Sequence, residues 1–255
     1  VSNCLKVAAP QRYKSERYSA FSEGRGLMII TVAVAKGGVG KSTLVRALAS
    51  VAAHQGHQVF VIDADERRNI DRWSMLLNRF GNKPENLEIV AVTTPTDILA
   101  LAQEQDRKGK LVIIDTEGKT NDELTAALFA ADIAVVPVHL AMDDITAAHQ
   151  LVNGHIPLVA DNRGFALPVM YVFTNNTVID KRARALADLR EIIRQNGTRI
   201  ARDEMPYRIA YKDMQTGATL YAGGRLDPKA IAESEAIFAE IVQYVIEANR
   251  SAAAE

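Results

Sequence analysis

The chain of 255 residues contains a single cysteine, Cys4. That excludes any disulfide within the chain and fits a reducing compartment, because disulfide frameworks need pairs. Excess charge is also missing, with 30 lysines and arginines against 31 aspartates and glutamates. A general attraction to nucleic acid or to an anionic membrane is therefore excluded, and any basic surface must be local. No uncharged apolar run approaches the roughly 18 residues of a membrane-spanning helix. The nearest, 126–142, is interrupted by Asp132, Pro137 and His139, and reads as a helix end followed by a buried strand. Internal repeats and low-complexity linkers are absent, which predicts one folded unit. The 48% of apolar residues and 24% of charged ones are an ordinary globular balance, enough for one sizeable core.

Residues 1–27 differ from the rest in being polar, aperiodic and rich in Ser, Arg and Tyr, with no apolar stretch for a secretory signal. They are expected to be a disordered extension, a tag or an over-long upstream reading, with a native basic arm as the alternative. From Met28 onward apolar strand-like runs (28–35, 58–63, 88–92, 111–115, 132–138, 168–174) alternate with helical ones (42–55, 69–80, 95–107, 119–130, 143–160, 180–196). The alternation predicts an α/β fold with a doubly wound, mostly parallel sheet in a single domain, 28–255. Runs such as Leu111–Asp115 lack polar alternation and fit burial on both faces. The end, 228–249, predicts one amphipathic helix with Ile231, Ile237, Phe238, Ile241, Val242 and Val245 on one side.

Between the first strand and the first helix lies Ala35-Lys36-Gly37-Gly38-Val39-Gly40-Lys41-Ser42-Thr43. A glycine-rich turn from strand to helix is a phosphate-binding loop. Gly37, Gly38 and Gly40 leave backbone N–H groups open to a polyphosphate, Lys41 suits the β- and γ-phosphates, and the Ser42 hydroxyl suits Mg²⁺. The usual first glycine is replaced by Ala35, and a second lysine, Lys36, follows. Two further strand ends carry carboxylates: Val-Ile-Asp63-Ala-Asp65, and Leu-Val-Ile-Ile-Asp115 with Thr116-Glu117-Gly118 behind it. Acids at the carboxyl end of α/β strands lie at the edge where ligands bind.

The extra lysine makes this a deviant Walker A loop, and the chain resembles the ParA/MinD ATPases. Motif order carries the resemblance across 28–249, and the P-loop, Asp63–Asp65 and Asp115 are its specific points. Met28 stands eight residues before Lys36, where members of the family commonly begin. The single cysteine excludes the iron-protein branch, whose cluster needs several. The stretches Asp-Ala-Asp-Glu-Arg-Arg-Asn and Asp-Thr-Glu-Gly-Lys-Thr-Asn-Asp-Glu-Leu look like the plasmid-borne ParA subgroup, which serves plasmid partition or T-DNA and conjugative transfer.

The resemblance implies ATP and Mg²⁺ as ligands, slow hydrolysis to ADP and phosphate, and an ATP-dependent homodimer in which Lys36 reaches the partner's nucleotide. It implies nucleotide contacts from Lys36 to Thr43, Val39 included, metal contacts from Ser42, Asp65 and Asp115, and water activation by Asp65. Asp63 reads as structural. Asn175, with Pro206 and Tyr207, would border the adenine. Gly118 would approach the γ-phosphate, with no role assigned to Glu117. His139 reads as a packed or edge histidine, Asp143 and Asp144 as helix caps, and Arg67, Arg68 and Arg72 as solvated helix charges.

The segment 181–212 holds nine basic residues against four acidic ones. By analogy with ParA relatives, Lys181, Arg182, Arg184, Arg190 and Arg194 would bind DNA without sequence preference. The overall expectation is a cytoplasmic, nucleoid-associated ATPase that positions or segregates a plasmid or DNA-transfer complex, aided by a partner protein that stimulates hydrolysis. A MinD-like membrane-associated ATPase is the rival, but the end Glu247–Glu255 is short of cations for a membrane-surface helix. A P-loop biosynthetic ligase is the other, and Lys36 argues against it. If Lys36 acts in trans, Lys36→Ala leaves ATP binding by the monomer intact but lowers ATP-dependent dimerisation and turnover. Calorimetry, sedimentation and phosphate release read the three quantities separately.

Overall fold

The computed structural model describes residues 28–34, 36–176, 193 and 198–252. The expected extension 1–27, Ala35 and nearly all of the expected helix 180–196 lie outside them, as do Lys181, Arg182, Arg184, Arg190 and Arg194.

Seven strands form one sheet in the order β3-β2-β4-β1-β5-β6-β7, and every pairing is parallel. They are β1 (Met28–Val32), β2 (Val59–Ala64), β3 (Leu87–Ala91), β4 (Leu111–Thr116), β5 (Ile133–Val138), β6 (Val169–Phe173) and β7 (Arg199–Ile200). All residues of β1, β2, β4, β5 and β6 are buried, as the unbroken apolar runs require of strands covered on both faces. From β1 the chain builds one side of the sheet with β2, β3 and β4 and the other with β5, β6 and β7. The carboxyl ends beside β1 are therefore the topological switch point, where open α/β sheets bind ligands.

The helices are α1 (Lys41–His54), α2 (Asn69–Phe80), α3 (Pro95–Arg107), α4 (Asp122–Ala130), α5 (Met142–Gln150), α6 (Ile156–Arg163), α7 (Ile209–Asp213) and α8 (Pro228–Ala252). Helix α3 starts where Pro95 fixes φ and the Thr94 side chain accepts from the Asp97 N–H. Helix α4 starts at Asp122 rather than the expected 119, because the Asn121 side chain accepts from the Leu124 N–H at 2.9 Å and ends the preceding turn. The expected helix 143–160 is two helices joined by a π-helical turn, Leu151–His155. Pro157 lacks the N–H that an α-helix would use one turn back, so the register widens just before it. Strand β7 and helix α7 were not foreseen; two and five residues are too short to show a period.

Alternate side chains of β1 enter opposite layers. Met28, Ile30 and Val32 join Leu44 and Leu48 of α1, Trp73 and Leu77 of α2, and Ile237, Phe238, Ile241 and Val245 of α8. Ile29 joins Phe60, Ile62, Val112 and Ile114 beneath Ile98 and Ala102 of α3. The apolar stripe of α8 is thus spent on the protein core. Among the described residues no helix is long and apolar enough to cross a membrane. Phe238 is 2% exposed and Met75 61%. Phe238→Ala is expected to cost about 3–5 kcal/mol, and Met75→Ala no more than about 0.5 kcal/mol. Urea titration of both variants tests whether α8 is a structural part of the domain.

Candidate nucleotide-binding site

The loop 36–40 leaves β1 at the switch point and delivers Lys41 as the first residue of α1. Gly38 and Gly40 have φ of 91° and 87°, a left-handed backbone that favours glycine. A Cβ on Gly40 would also stand 3.3 Å from Thr174, whose hydroxyl donates to the Val39 carbonyl and pins the loop to the end of β6. The parallel register makes Asp63 and Asp115 Cα partners on β2 and β4. Their carboxylates consequently arrive side by side beneath the loop.

Lys41 meets them from above. Its Nζ lies 2.5 Å from Asp115 Oδ1 and 3.6 Å from Asp65 Oδ2, and Ser42 Oγ donates to Asp115 Oδ2 at 2.9 Å. Asp63 has a different task. Its Oδ2 accepts from the Ile70 and Asp71 N–H groups, both at 2.9 Å, so it fastens the start of α2. Asp63 is fully buried, and burial pushes its carboxyl up to about 6 despite these bonds. Asp65 is held by its Oδ1, which accepts from the Arg67 N–H at 2.9 Å; it caps no helix, since α2 begins four residues later. Arg46 of α1, 6% exposed, donates to the Asn69 carbonyl at 3.0 Å. Burial lowers its pKa while the charges of Asp115 and Asp63 hold it up.

Two cavities share Gly38, Gly40, Thr43 and Gln215. One, of about 250 Å³, is bordered by Thr174, Asn175, Met205, Pro206, Tyr207, Tyr211 and Lys212. Asn175 sits there in a left-handed backbone, φ 56°. The other, of about 350 Å³, is polar and is lined by Lys36, Gly37, Lys41, Ser42, Arg46, Asp65, Arg67, Glu117, Gly118 and Lys119. Gly118 packs on the loop so closely that a Cβ would come within 2.9 Å of the Gly37 nitrogen. The Glu117 carboxylate pairs with Lys119 at 2.6 Å and accepts from Asn121 at 3.3 Å.

Lys36 does not point at Lys41 and its carboxylates. Its Nζ lies 2.8 Å from Asp144 Oδ1, and that hydrogen bond raises the lysine pKa. Asp144 lies in the first turn of α5, where Ala141 is the cap and receives no side-chain bond; the expected capping role gives way to Lys36 and to His139, 3.5 Å away.

Residues 30–220 match the CobQ/CobB/MinD/ParA nucleotide binding domain. The chain belongs to that family. It is 27% identical over 200 residues to the protein ParA of Rhizobium radiobacter, a match covering 76% of this chain and 85% of that one. A shorter match, 25% over 123 residues, joins it to virC1 of Rhizobium rhizogenes and covers 48% of this chain and 53% of that one. The MinD cell division protein of Aquifex aeolicus superposes with a TM-score of 0.63 at 21% identity, over 89% of this chain and 97% of that one. A plasmid partition protein of Borrelia burgdorferi bound to AMPPNP gives 0.63 at 19%, over 85% and 98%. At these identities the superpositions speak to the fold alone. The family itself, a nucleotide-binding one that takes in ParA and MinD, rests on the match over residues 30–220.

The donor set fits a hard divalent cation. Ser42, Asp115 and Asp65 offer oxygen ligands of the kind Mg²⁺ takes. Among the described residues no three carboxylate, histidine or cysteine side chains could hold a metal by themselves. A cation here would draw most of its ligands from phosphate oxygens and water. Thr174, Tyr211, Gln215 and Arg46 were missed from sequence. For Arg46 there was a signal, a charge on the buried face of an apolar helix; the others come from the chain's distant return to the loop. Arg67 was read as a solvated helix charge, yet it precedes α2 and its Nη1 lies 3.9 Å from where a Gly37 Cβ would be.

Removing Lys41 leaves Asp115, 0% exposed, without its cation. Lys41→Ala is expected to destabilise the nucleotide-free protein by about 3–5 kcal/mol. Adding Asp115→Asn is expected to recover part of that loss, and a double-mutant cycle in urea measures the coupling.

Proposed function

We propose that the chain is a ParA-type ATPase that binds Mg·ATP, dimerises on it, and uses the dimer to hold DNA while a plasmid or transfer complex is positioned. The observation that carries this reading is the convergence of Lys41, Ser42, Asp65 and Asp115 beneath a glycine loop that also bears Lys36. In this reading the P-loop amides and Lys41 hold the β- and γ-phosphates, and Ser42 and Asp115 hold the cation. The cation, when bound, neutralises charge on the phosphates. Asp65 has one oxygen anchored by a backbone N–H and the other only loosely paired with Lys41, at 3.6 Å, so that it can turn to orient the attacking water once Lys41 engages phosphate. The cavity edged by Asn175, Pro206 and Tyr207 takes the base. Lys36 would leave Asp144 to reach the partner's phosphates.

For DNA the support is the basic excess of 181–212 and the likeness to the protein ParA of Rhizobium radiobacter. Two of its arginines are already committed. Arg199 pairs with Glu240 and Glu247, and Arg208 with Glu233 and Asp227. The DNA surface we propose therefore rests on Lys181, Arg182, Arg184, Arg190 and Arg194, with the exposed Arg202 also available. The burial of the α8 stripe weighs against a membrane-associated role, and Lys36 against a biosynthetic ligase. We place the protein in the cytoplasm, with a separate partner that stimulates hydrolysis; that a fold neighbour takes a partner protein at all is seen in the MinC:MinD complex of Aquifex aeolicus.

The test uses Asp65→Ala, which should bind ATP, fail to turn it over and accumulate as the DNA-binding dimer. Gel shifts at several salt concentrations should show duplex binding with ATP and not with ADP. Log affinity should fall linearly with log salt, by about 0.9 per phosphate neutralised. Reversing charge at Arg190 and Arg194 should weaken that binding and leave basal hydrolysis unchanged. DNA binding that ignores nucleotide, or that survives the charge reversal, would remove DNA from this reading.

A further inference from the structure

The two cavities give a bound nucleotide a direction. With its base against Asn175 and Pro206, a polyphosphate would pass Gly38, Gly40 and Thr43, which border both cavities. Its terminal phosphate would then lie at the far end of the polar cavity, by Gly37 and Gly118. Cations near that end are mostly spent. Lys41 is held by Asp115 and Asp65, Lys36 by Asp144, and Lys119 by Glu117. Arg46 is buried against the start of α2.

Arg67 is the exception. It is exposed, it lines the same cavity, and its Nη1 lies 3.9 Å from the position of a Gly37 Cβ. Among the described residues no carboxylate lies within ion-pair distance of its guanidinium. Its backbone is fixed, with the Arg67 N–H donating to Asp65 Oδ1 and the Arg68 N–H to the Asp65 carbonyl at 2.8 Å. Arg68 then turns the chain in a left-handed conformation, φ 51°, before α2 begins. That conformation is costly for a residue with a side chain and persists where its surroundings impose it.

We infer that Arg67 is a cation supplied in cis to the terminal phosphate, a further catalytic residue of this site that lets it tell a triphosphate from a diphosphate. The inference rests on the ATPase reading proposed above. A guanidinium with open donors suits a phosphate with two or three free oxygens, and the contact disappears with the γ-phosphate. Because Asp65 holds the Arg67 N–H, the residue that orients water and the residue that binds the phosphate under attack move as one turn. Lys36, by contrast, would arrive from the partner, so Arg67 acts before any dimer exists.

The test is calorimetric titration of wild type, Arg67→Ala and Arg67→Lys with Mg·ATPγS and with Mg·ADP, at concentrations where sedimentation shows monomer. Arg67→Ala should lose about tenfold in affinity for ATPγS while its ADP affinity stays within about twofold. Arg67→Lys should fall between, since it keeps the charge and loses the fork. The retained ADP affinity doubles as the check that the variant is folded. Equal losses for both nucleotides, no loss, or a loss seen only where the protein dimerises would each overturn the inference. Wild type that binds neither nucleotide would instead overturn the ATPase reading beneath it.

Discussion

Everything at the carboxyl edge of the sheet depends on the ammonium of Lys41. The parallel register leaves no choice about Asp63 and Asp115, which are Cα partners with no solvent exposure. Asp65 follows two residues later, 6% exposed. Buried carboxylates without counter-charge are among the costliest arrangements a protein can hold. Helix α1 answers with two cations, Lys41 in its first turn and Arg46 one turn on. Three carboxylates thus face two cations, and burial, with the Asp115 charge adding to it, raises the Asp63 pKa. On the proposed reading this explains why the substrate is a metal–nucleotide complex. Free polyphosphate would bring more negative charge to an edge already rich in acid, whereas its cation restores the balance.

Two kinds of connection surround that pair. The carboxylates are fixed to the backbone: Asp63 to the first N–H groups of α2, Asp65 to the Arg67 N–H. The lysines at the rim are tied only to side chains, Lys36 to Asp144 and Lys119 to Glu117, with lysine exposures of 46% and 67%. Pairs of this exposure hold weakly and exchange readily. The division suits a site whose floor keeps its geometry while its rim re-forms around a phosphate or a second subunit.

What was legible in the sequence follows the physical range of each signal. The sheet order was not, but strands β1 to β6 were, because five of them are buried throughout and read as apolar runs. The phosphate loop and the carboxylates of β2 and β4 were legible because strand-end position alone fixes their neighbourhood. Residues whose role depends on a return of the chain were not. Thr174 reaches Val39 across 135 positions, and Asp144 reaches Lys36 across a helix boundary that looked like a capping site. Arg67 and Arg68 were read as helix charges although the expected helix, 69–80, begins after them. Asp63 fastens that helix by accepting from the Ile70 and Asp71 N–H groups, and the turn before it is what brings Arg67 to the polar cavity, a placement the pattern of residues does not announce.

Helix α8 lies farthest along the chain from the phosphate loop and still shapes the site. Its apolar stripe packs beside α1, and its acidic side holds the segments that wall the base cavity. Glu233 takes the Arg208 guanidinium, and the Tyr211 hydroxyl donates to the Ala230 carbonyl at 3.1 Å. Pro206 and Tyr207 sit immediately before that anchored pair. Glu240 accepts from the Arg202 N–H at 2.8 Å and, with Glu247, neutralises Arg199. The same carboxylates that steady the wall thereby subtract two arginines from the basic excess of 181–212. Positive charge for DNA, on the proposed reading, is left mainly to the stretch before β7, while most of the stretch after it serves the nucleotide. One helix thus separates the two duties of the C-terminal third, by choosing which arginines it neutralises.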